Sequence, residues 1–419
     1  MNLGILTLVL LVVIIALGAV RKLHVGILAI AVAVPLGRYA GISDGDIIRG
    51  WNTPLSVMLM GVTFLFGIAQ ANGTLELFAR KVIAAVGTRA WAVPIVIFWL
   101  GAFLASIGPG TVPVMTFLVP LGIVLAVEMG ISPLMMGSIT ILGCAGGGLT
   151  PIAPTGIIGL SLAAQQGYTG LEIPYALNSM TAMILPATLY YFFFGGHKLR
   201  GSKVFEALPA YSSKQKVTMV AITSMIVMVL LTKVNVGLAS FVTGAILIVV
   251  KAGDEKDAIK AMPWGTILLV CGVGVLMNIA VKLGGIELLA KTLASYMNKT
   301  TATTIMTLSA GIMSWFASTS GVVMPTLIPT MSTIINTVPG TTPIELISAI
   351  TFGAHVAGTS PVSTGGGLAM AGYSALANVS PAEQYKLFMQ MYALTVVGVL
   401  IVTIFAATGA FTWFNVWLG

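Results

Sequence analysis

The chain has 419 residues, 57% hydrophobic and only 8% charged, whereas about a quarter of a soluble domain is charged; a soluble globular protein is excluded. The formal net charge of +8 is spread thinly between apolar runs, with no basic patch interleaved with aromatics, so it speaks for membrane topology rather than nucleic acid. Runs such as 3–20 and 217–231 are almost continuously apolar, where the strands of a membrane barrel would alternate, and this selects a bundle of transmembrane helices.

In chain order the predicted spans are 3–20, 24–42 and 54–71, a re-entrant helical hairpin over 90–126, a broken span over 132–165, and a span over 174–195. The first run precedes Arg21 and Lys22 instead of following a basic segment, so it reads as a retained span with its N-terminus outside, not as a signal peptide. A basic linker, 196–216, follows. The pattern then restarts: spans 217–232, 235–250 and 265–281, a second re-entrant hairpin over 301–336, a second broken span over 343–374, and a last span over 387–416. Segments 72–87 and 283–298 carry charge at helical spacing, as in Glu76, Arg80 and Lys81, and are expected to lie along the membrane surface.

Internal comparison divides the chain into 1–195 and 217–419. Gly61 and Gly73 fall on Gly272 and Gly284 at an offset of 211; Ser106 and Pro113 fall on Ser318 and Pro325 at 212; Gly148, Pro151 and Gly156 fall on Gly358, Pro361 and Gly366 at 210. With a hairpin entering and leaving on one face, each half crosses five times. An odd count inverts the second half relative to the first and leaves both termini outside. That orientation puts 14 of the 20 Lys and Arg residues inside, with Lys282, Lys291 and Lys299 its weakest point among the six outside.

The stretch from Gly146 to Gly156, Gly-Gly-Gly-Leu-Thr-Pro-Ile-Ala-Pro-Thr-Gly, cannot continue a helix, because its prolines remove donors and its glycines add freedom. Within a bilayer each unpaired backbone group costs several kcal/mol, so such a break survives only where protein, water or ligand satisfies it. The second break spans Gly358 to Gly367, and the hairpin tips lie at 106–113 and 318–325. Each arm of the first hairpin has about fifteen apolar residues, too few for two crossings of a core about 30 Å thick. Tips and breaks brought together offer helix N-termini to an anion and carbonyls to Na⁺. Candidate substrate residues are Ser106, Gly108, Gly110, Thr111 and Thr155 in the first half, and Ser318, Thr319, Ser320, Thr359, Ser360, Ser363 and Thr364 in the second. Candidate Na⁺ residues are Ser106, Gly148, Thr150, Ser318, Gly358 and Ser360. Small residues that merely permit close helix packing would account for the glycines and serines, but not for prolines at matched positions.

None of the twelve acidic residues falls in a tip or a break, which favours Na⁺, or simple exchange, over a carboxylate proton relay; no cation falls there either, so no arginine clamp is expected. His355, a turn before the second break, is the exception: it reads either as a neutral imidazole packed in the core and bonded to a carbonyl, or as a proton or substrate site. Cys144 and Cys271 read as small core residues, and histidines at 24, 197 and 355 assemble no catalytic or metal cluster, so neither an enzyme nor a cofactor is expected.

The run from Arg21 to about Gly167 resembles the N-terminal region of MatC-type dicarboxylate (malonate) carriers, through Asn72-Gly73-Thr74-Leu75-Glu76, Ile107-Gly108-Pro109-Gly110 and Leu149-Thr150-Pro151-Ile152-Ala153-Pro154-Thr155-Gly156. The whole chain resembles the ion-transporter superfamily that includes the divalent anion–sodium symporters. The resemblance implies an inverted-repeat homodimer in the inner membrane, with a fixed scaffold and a transport domain moving as an elevator. It also implies a Ser-Asn-Thr substrate and Na⁺ motif at each tip. This chain keeps the serines, Ser106 and Ser318, and lacks both asparagines; the first tip is then expected to bind through backbone N–H groups, with Thr111 the nearest hydroxyl. The expected activity is Na⁺-coupled transport of malonate or a C4-dicarboxylate. The alternatives are a proton-coupled symporter or an exchanger using His355, or an anion channel.

Overall fold

A computed structural model describes residues 3–21, 23–87, 89–200, 208–232, 234–374 and 380–414, and among them there is no strand. The first half comprises α1 (Leu3–Arg21), α2 (Val25–Tyr39), α3 (Asp44–Ile48), α4 (Thr53–Ala71), α5 (Thr74–Ala84), α6 (Val93–Ser106), α7 (Thr111–Glu128), α8 (Pro133–Gly147), α9 (Pro154–Ala164) and α10 (Glu172–Phe193). The second comprises α11 (Ser213–Thr232), α12 (Val236–Val249), α13 (Glu255–Ala261), α14 (Trp264–Lys282), α15 (Gly285–Ala294) and α16 (Ala302–Phe316). After these come a π-helical turn (Thr319–Val323), α17 (Met324–Leu327), a 3-10 turn (Ile328–Thr330), α18 (Met331–Thr337), α19 (Pro343–Val356), α20 (Thr364–Ser374) and α21 (Pro381–Ala407). Among the described residues four helical segments are long and apolar enough to cross a membrane: Asp44–Ala71, Thr111–Glu128, Trp264–Lys282 and Ala382–Ala407.

Local chemistry sets where these elements start. Thr342 and Ser380 each form a reciprocal capping box, with Glu345 and Glu383, and a proline follows each cap. The Ser380 box starts the last helix at Pro381, six residues earlier than its apolar content alone suggests. Two short helices absent from the hydropathy reading, α3 and α13, are capped by Ser43 and Asp254. The arm α7 is 18 residues long, about 27 Å at the helical rise, so length alone does not keep it from crossing. Pro120 sits inside α7 without ending it, and the apolar count falls short because the helix continues to Glu128. Of the linker 196–216, residues 201–207 lie outside the described residues; nearby, Lys81 Nζ stands 4.9 Å from the Tyr211 ring centroid and Gln215 Nε2 donates to the Asn72 carbonyl.

Between lipid-facing helices no hydrophobic effect drives packing, so association rests on close van der Waals fit. Glycines supply it here, and in matched pairs. A Cβ on Gly61 (α4) would lie 2.1 Å from the Gly237 carbonyl oxygen (α12); one on Gly272 (α14) would lie 2.4 Å from that of Gly26 (α2). Thus α4 packs on a helix of the other half, and α14 does the same in return. Within halves, Gly143 lets α8 meet the Phe98 carbonyl of α6, and Gly353 lets α19 meet the Thr307 carbonyl of α16; in both the absent Cβ would stand at 2.3 Å. The correspondence extends to α5 and α15, which each follow a left-handed glycine, Gly73 and Gly284. Each carries one ion pair at 2.7 Å, Glu76–Arg80 and Glu287–Lys291. The hydrogen bond and charge of Lys291 hold the Glu287 carboxyl below its usual range.

Candidate substrate cavity

Four interrupted elements meet in the interior. The helix α8 stops at Gly147 and α9 begins at Pro154; α19 gives way to a 3-10 turn at Ala357–Thr359, and α20 begins at Thr364. Both breaks depend on a glycine placed where a side chain would strike backbone. A Cβ on Gly156 would lie 2.0 Å from the Thr150 carbonyl oxygen, and one on Gly366 would lie 2.0 Å from that of Ser360. The two tips are built differently. The first is a four-residue connection before α7 with Gly108 (φ 138°) and Gly110 (φ 81°) in the left-handed region, and Gly108 is pressed against the Phe66 ring. In the second, Ser318 caps the π turn by accepting from the Gly321 N–H, and both Val322 and Val323 donate to the Ser318 carbonyl.

Between these elements lies a cavity of about 680 Å³, within the range of small-molecule sites. Of the candidate residues, Thr111, Thr155, Ser318, Thr319, Ser320, His355, Gly358, Ser363 and Thr364 line it. No aspartate, glutamate, lysine or arginine lines it. A shallower groove of about 200 Å³ between α6, α8 and α10 is bordered by half-exposed Trp99 and Phe192 on an outward-facing side.

The other candidates sit behind the wall. The Ser106 hydroxyl donates to the Phe103 carbonyl, and the Ser106 carbonyl accepts from Thr150 Oγ1 at 2.9 Å, which ties the first tip to the first break. Gly108 and Gly110 shape the turn, the latter against Pro154, and Gly148 makes room for Thr111. Thr359 is buried against Thr395, Oγ1 to Oγ1 at 3.0 Å. Ser360 is fully buried, and Ser363 Oγ donates to the Ser360 and Gly358 carbonyls at 2.7 and 2.6 Å.

Two contacts join elements across the cavity. Thr319 Oγ1 donates to the Ala354 carbonyl of α19 at 3.2 Å and pairs with Ser314 at 2.7 Å, fixing the second tip to the second broken helix. His355 Nε2 lies 3.4 Å from Thr111 Oγ1, a bond between the halves, and His355 Nδ1 is buried with no partner. A buried ring nitrogen without a partner calls for an explanation.

The wall also contains residues not among the sequence candidates: Val112, Met115, Ser314, Trp315, Ala317, Val362, Gly365 and Tyr392. Trp315 and Tyr392 face each other with ring centroids 6.2 Å apart. One helical turn back from the Ser318 tip would have reached Ser314 and Trp315; Tyr392, on the last helix, carries no local signal.

The family model described as the N-terminus of the dicarboxylate carrier protein MatC matches residues 1–148, a segment that ends where the first break begins. Among solved structures, the YdaH transporter of Alcanivorax borkumensis, described as having an unusual topology, is similar in fold. The TM-score is 0.62 at 15% identity, covering 90% of this chain and 89% of that one. The matched family is one of carriers and the solved structure is a transporter; neither is an enzyme. No curated protein matches the chain.

Proposed function

We propose that this chain carries a small dicarboxylate, malonate or a C4-dicarboxylate, across the cytoplasmic membrane by alternating access, coupled to Na⁺. One observation carries the reading: the first residues of α7, α9 and α20 and the π turn all border one cavity that has no charged side chain. Helix starts present N–H groups without intrahelical partners, together with the positive end of the dipole. Each α-helix start is worth about 0.3–1 kcal/mol to an anion, and the three together about 1–3 kcal/mol. Such binding is modest, nearer millimolar than nanomolar, which suits a carrier that must release its cargo. The MatC model over 1–148 supports the choice of dicarboxylate.

The hydroxyl and carbonyl oxygens clustered in and behind the wall, Ser106 O with Thr150 Oγ1 and Ser363 Oγ with the Gly358 and Ser360 carbonyls, are the oxygen type Na⁺ prefers. The matched glycine contacts support two related halves; on this reading they are inverted repeats with both termini outside, working as a homodimer through an elevator motion. Uptake of labelled malonate and succinate into proteoliposomes tests this, with an inward Na⁺ gradient against an inward proton gradient at equal voltage. Na⁺-driven uptake is the expected result. Proton-driven uptake would favour the second reading, in which His355, bridging to Thr111, carries the coupling proton; uptake that needs only internal dicarboxylate would mean exchange, and currents far above carrier turnover would mean a channel.

A further inference from the structure

The second hairpin arm contains a discontinuity that a residue of the first half fills. Between α17 and α18 the α-helical pattern lapses into the 3-10 turn Ile328–Thr330, and Pro329 supplies no N–H. In an unbroken helix the Ser332 N–H would donate to the Ile328 carbonyl. Here the side chain of Gln166 stands between them: its Nε2 donates to the Ile328 carbonyl at 2.7 Å, and its Oε1 accepts from the Ser332 N–H at 3.2 Å. A carboxamide offers one donor and one acceptor in the geometry of a peptide group, and only one orientation of the amide satisfies both bonds. Insertion of a side chain into the helical ladder is a recognised cause of a bend.

Gln166 follows the end of α9, whose first turn carries Thr155 on the cavity wall. The helix α9 therefore runs as a strut of 11 residues, about 16 Å, from the cavity to the interrupted arm whose tip bears Ser318, Thr319 and Ser320. We propose that Gln166 is a positioning residue: its amide holds the second arm open at Ile328–Ser332 and so couples the first-half side of the cavity to the second tip. The transport consequence rests on the carrier reading above, but the clasp itself does not. Without the amide, the Ile328 carbonyl keeps only the 3-10 bond from the Met331 N–H, and the link from Ile328 and Ser332 to α9 is lost, so the arm loosens and the tip loses its register with α9.

The test uses reconstituted full-length protein, normalised to monodisperse material, as wild type, Gln166→Leu and Gln166→Glu. Amide exchange of a peptide covering residues 326–337 is measured without substrate, alongside initial rates of malonate and succinate uptake. Gln166→Leu is expected to speed exchange in that peptide by about fivefold and to lower the maximal rate by a similar factor, while KM moves by less than about twofold. Gln166→Glu is expected to match Leu at about pH 8, where the carboxylate cannot donate to Ile328, and to recover relative to wild type towards about pH 5 as it protonates and regains a donor. Unchanged exchange in Gln166→Leu would overturn the clasp, and a Glu variant equally impaired at both pH values would reduce Gln166 to packing. A wild type that moves neither dicarboxylate would count against the carrier reading while the exchange measurement still decides the clasp.

Discussion

His355 and the serine-threonine tip compete for the central chemical role, and a ranking of two variants separates them. His355→Ala removes one 3.4 Å bond to Thr111, whereas Ser318→Ala with Thr319→Ala removes a cap of the π turn, the bond to the Ala354 carbonyl and the hydroxyls facing the cavity. If Na⁺ is the coupling ion, the double variant loses most uptake in liposomes and His355→Ala loses less; the reverse order would move coupling to the imidazole. Thr111→Val keeps shape and removes the hydroxyl that meets His355, so it should reproduce the His355→Ala phenotype in the same assay if the bond between them is what matters. At this scale the sequence was legible where the residue type itself was unusual for a membrane interior, as with His355 and the hydroxyls of the tips. It was silent on Trp315, Tyr392 and Gln166, whose roles depend on partners distant in the chain.

Elements were legible through their interruptions. Proline and glycine runs in apolar stretches mark α8/α9 and α19/α20, because no other local chemistry stops a helix so abruptly in that setting. Helices made by capping alone, α3 and α13, carry too little apolar surface to show in hydropathy. Adjacent glycines in the second break make a sharp test of how it is built. A Cβ on Gly366 would meet the Ser360 carbonyl oxygen at 2.0 Å, while one on Gly367 meets its nearest neighbour, the Pro361 carbonyl oxygen, at 3.9 Å. Gly366→Ala should therefore cost about 1–3 kcal/mol and lower the thermal midpoint in detergent, with Gly367→Ala within about 0.5 kcal/mol of wild type. Equal effects of the two would mean that the break tolerates displacement there.

At the scale of the whole molecule, the constant sequence offsets pointed to two related halves, but not to the way their helices exchange partners. Gly61 on Gly237 and Gly272 on Gly26 could be paired only in three dimensions, since each glycine alone is an ordinary small residue. Further ties reinforce the exchange: Asn178 of α10 donates to the Phe411 carbonyl, and Tyr190 donates to the Leu394 carbonyl of α21. Bulk at the seam should be felt by both halves. Gly61→Leu, facing Gly237 at 2.1 Å, is expected to reduce the yield of intact protein in membranes, measured by protease resistance after extraction, more than Gly45→Leu on an open surface.

This exchange has a consequence for biosynthesis. The ribosome delivers α2 and α4 long before α14 and α12, so the newly inserted first half waits in the lipid with two glycine seams exposed and unclaimed. Its lifetime then depends on how quickly translation supplies the rest. Residues 1–200 expressed alone should be cleared by membrane proteases, and co-expression of 208–419 from a second message should rescue them. The short basic stretch between the halves would then matter less as a hinge than as a guarantee that both partners are made at the same place and in equal number.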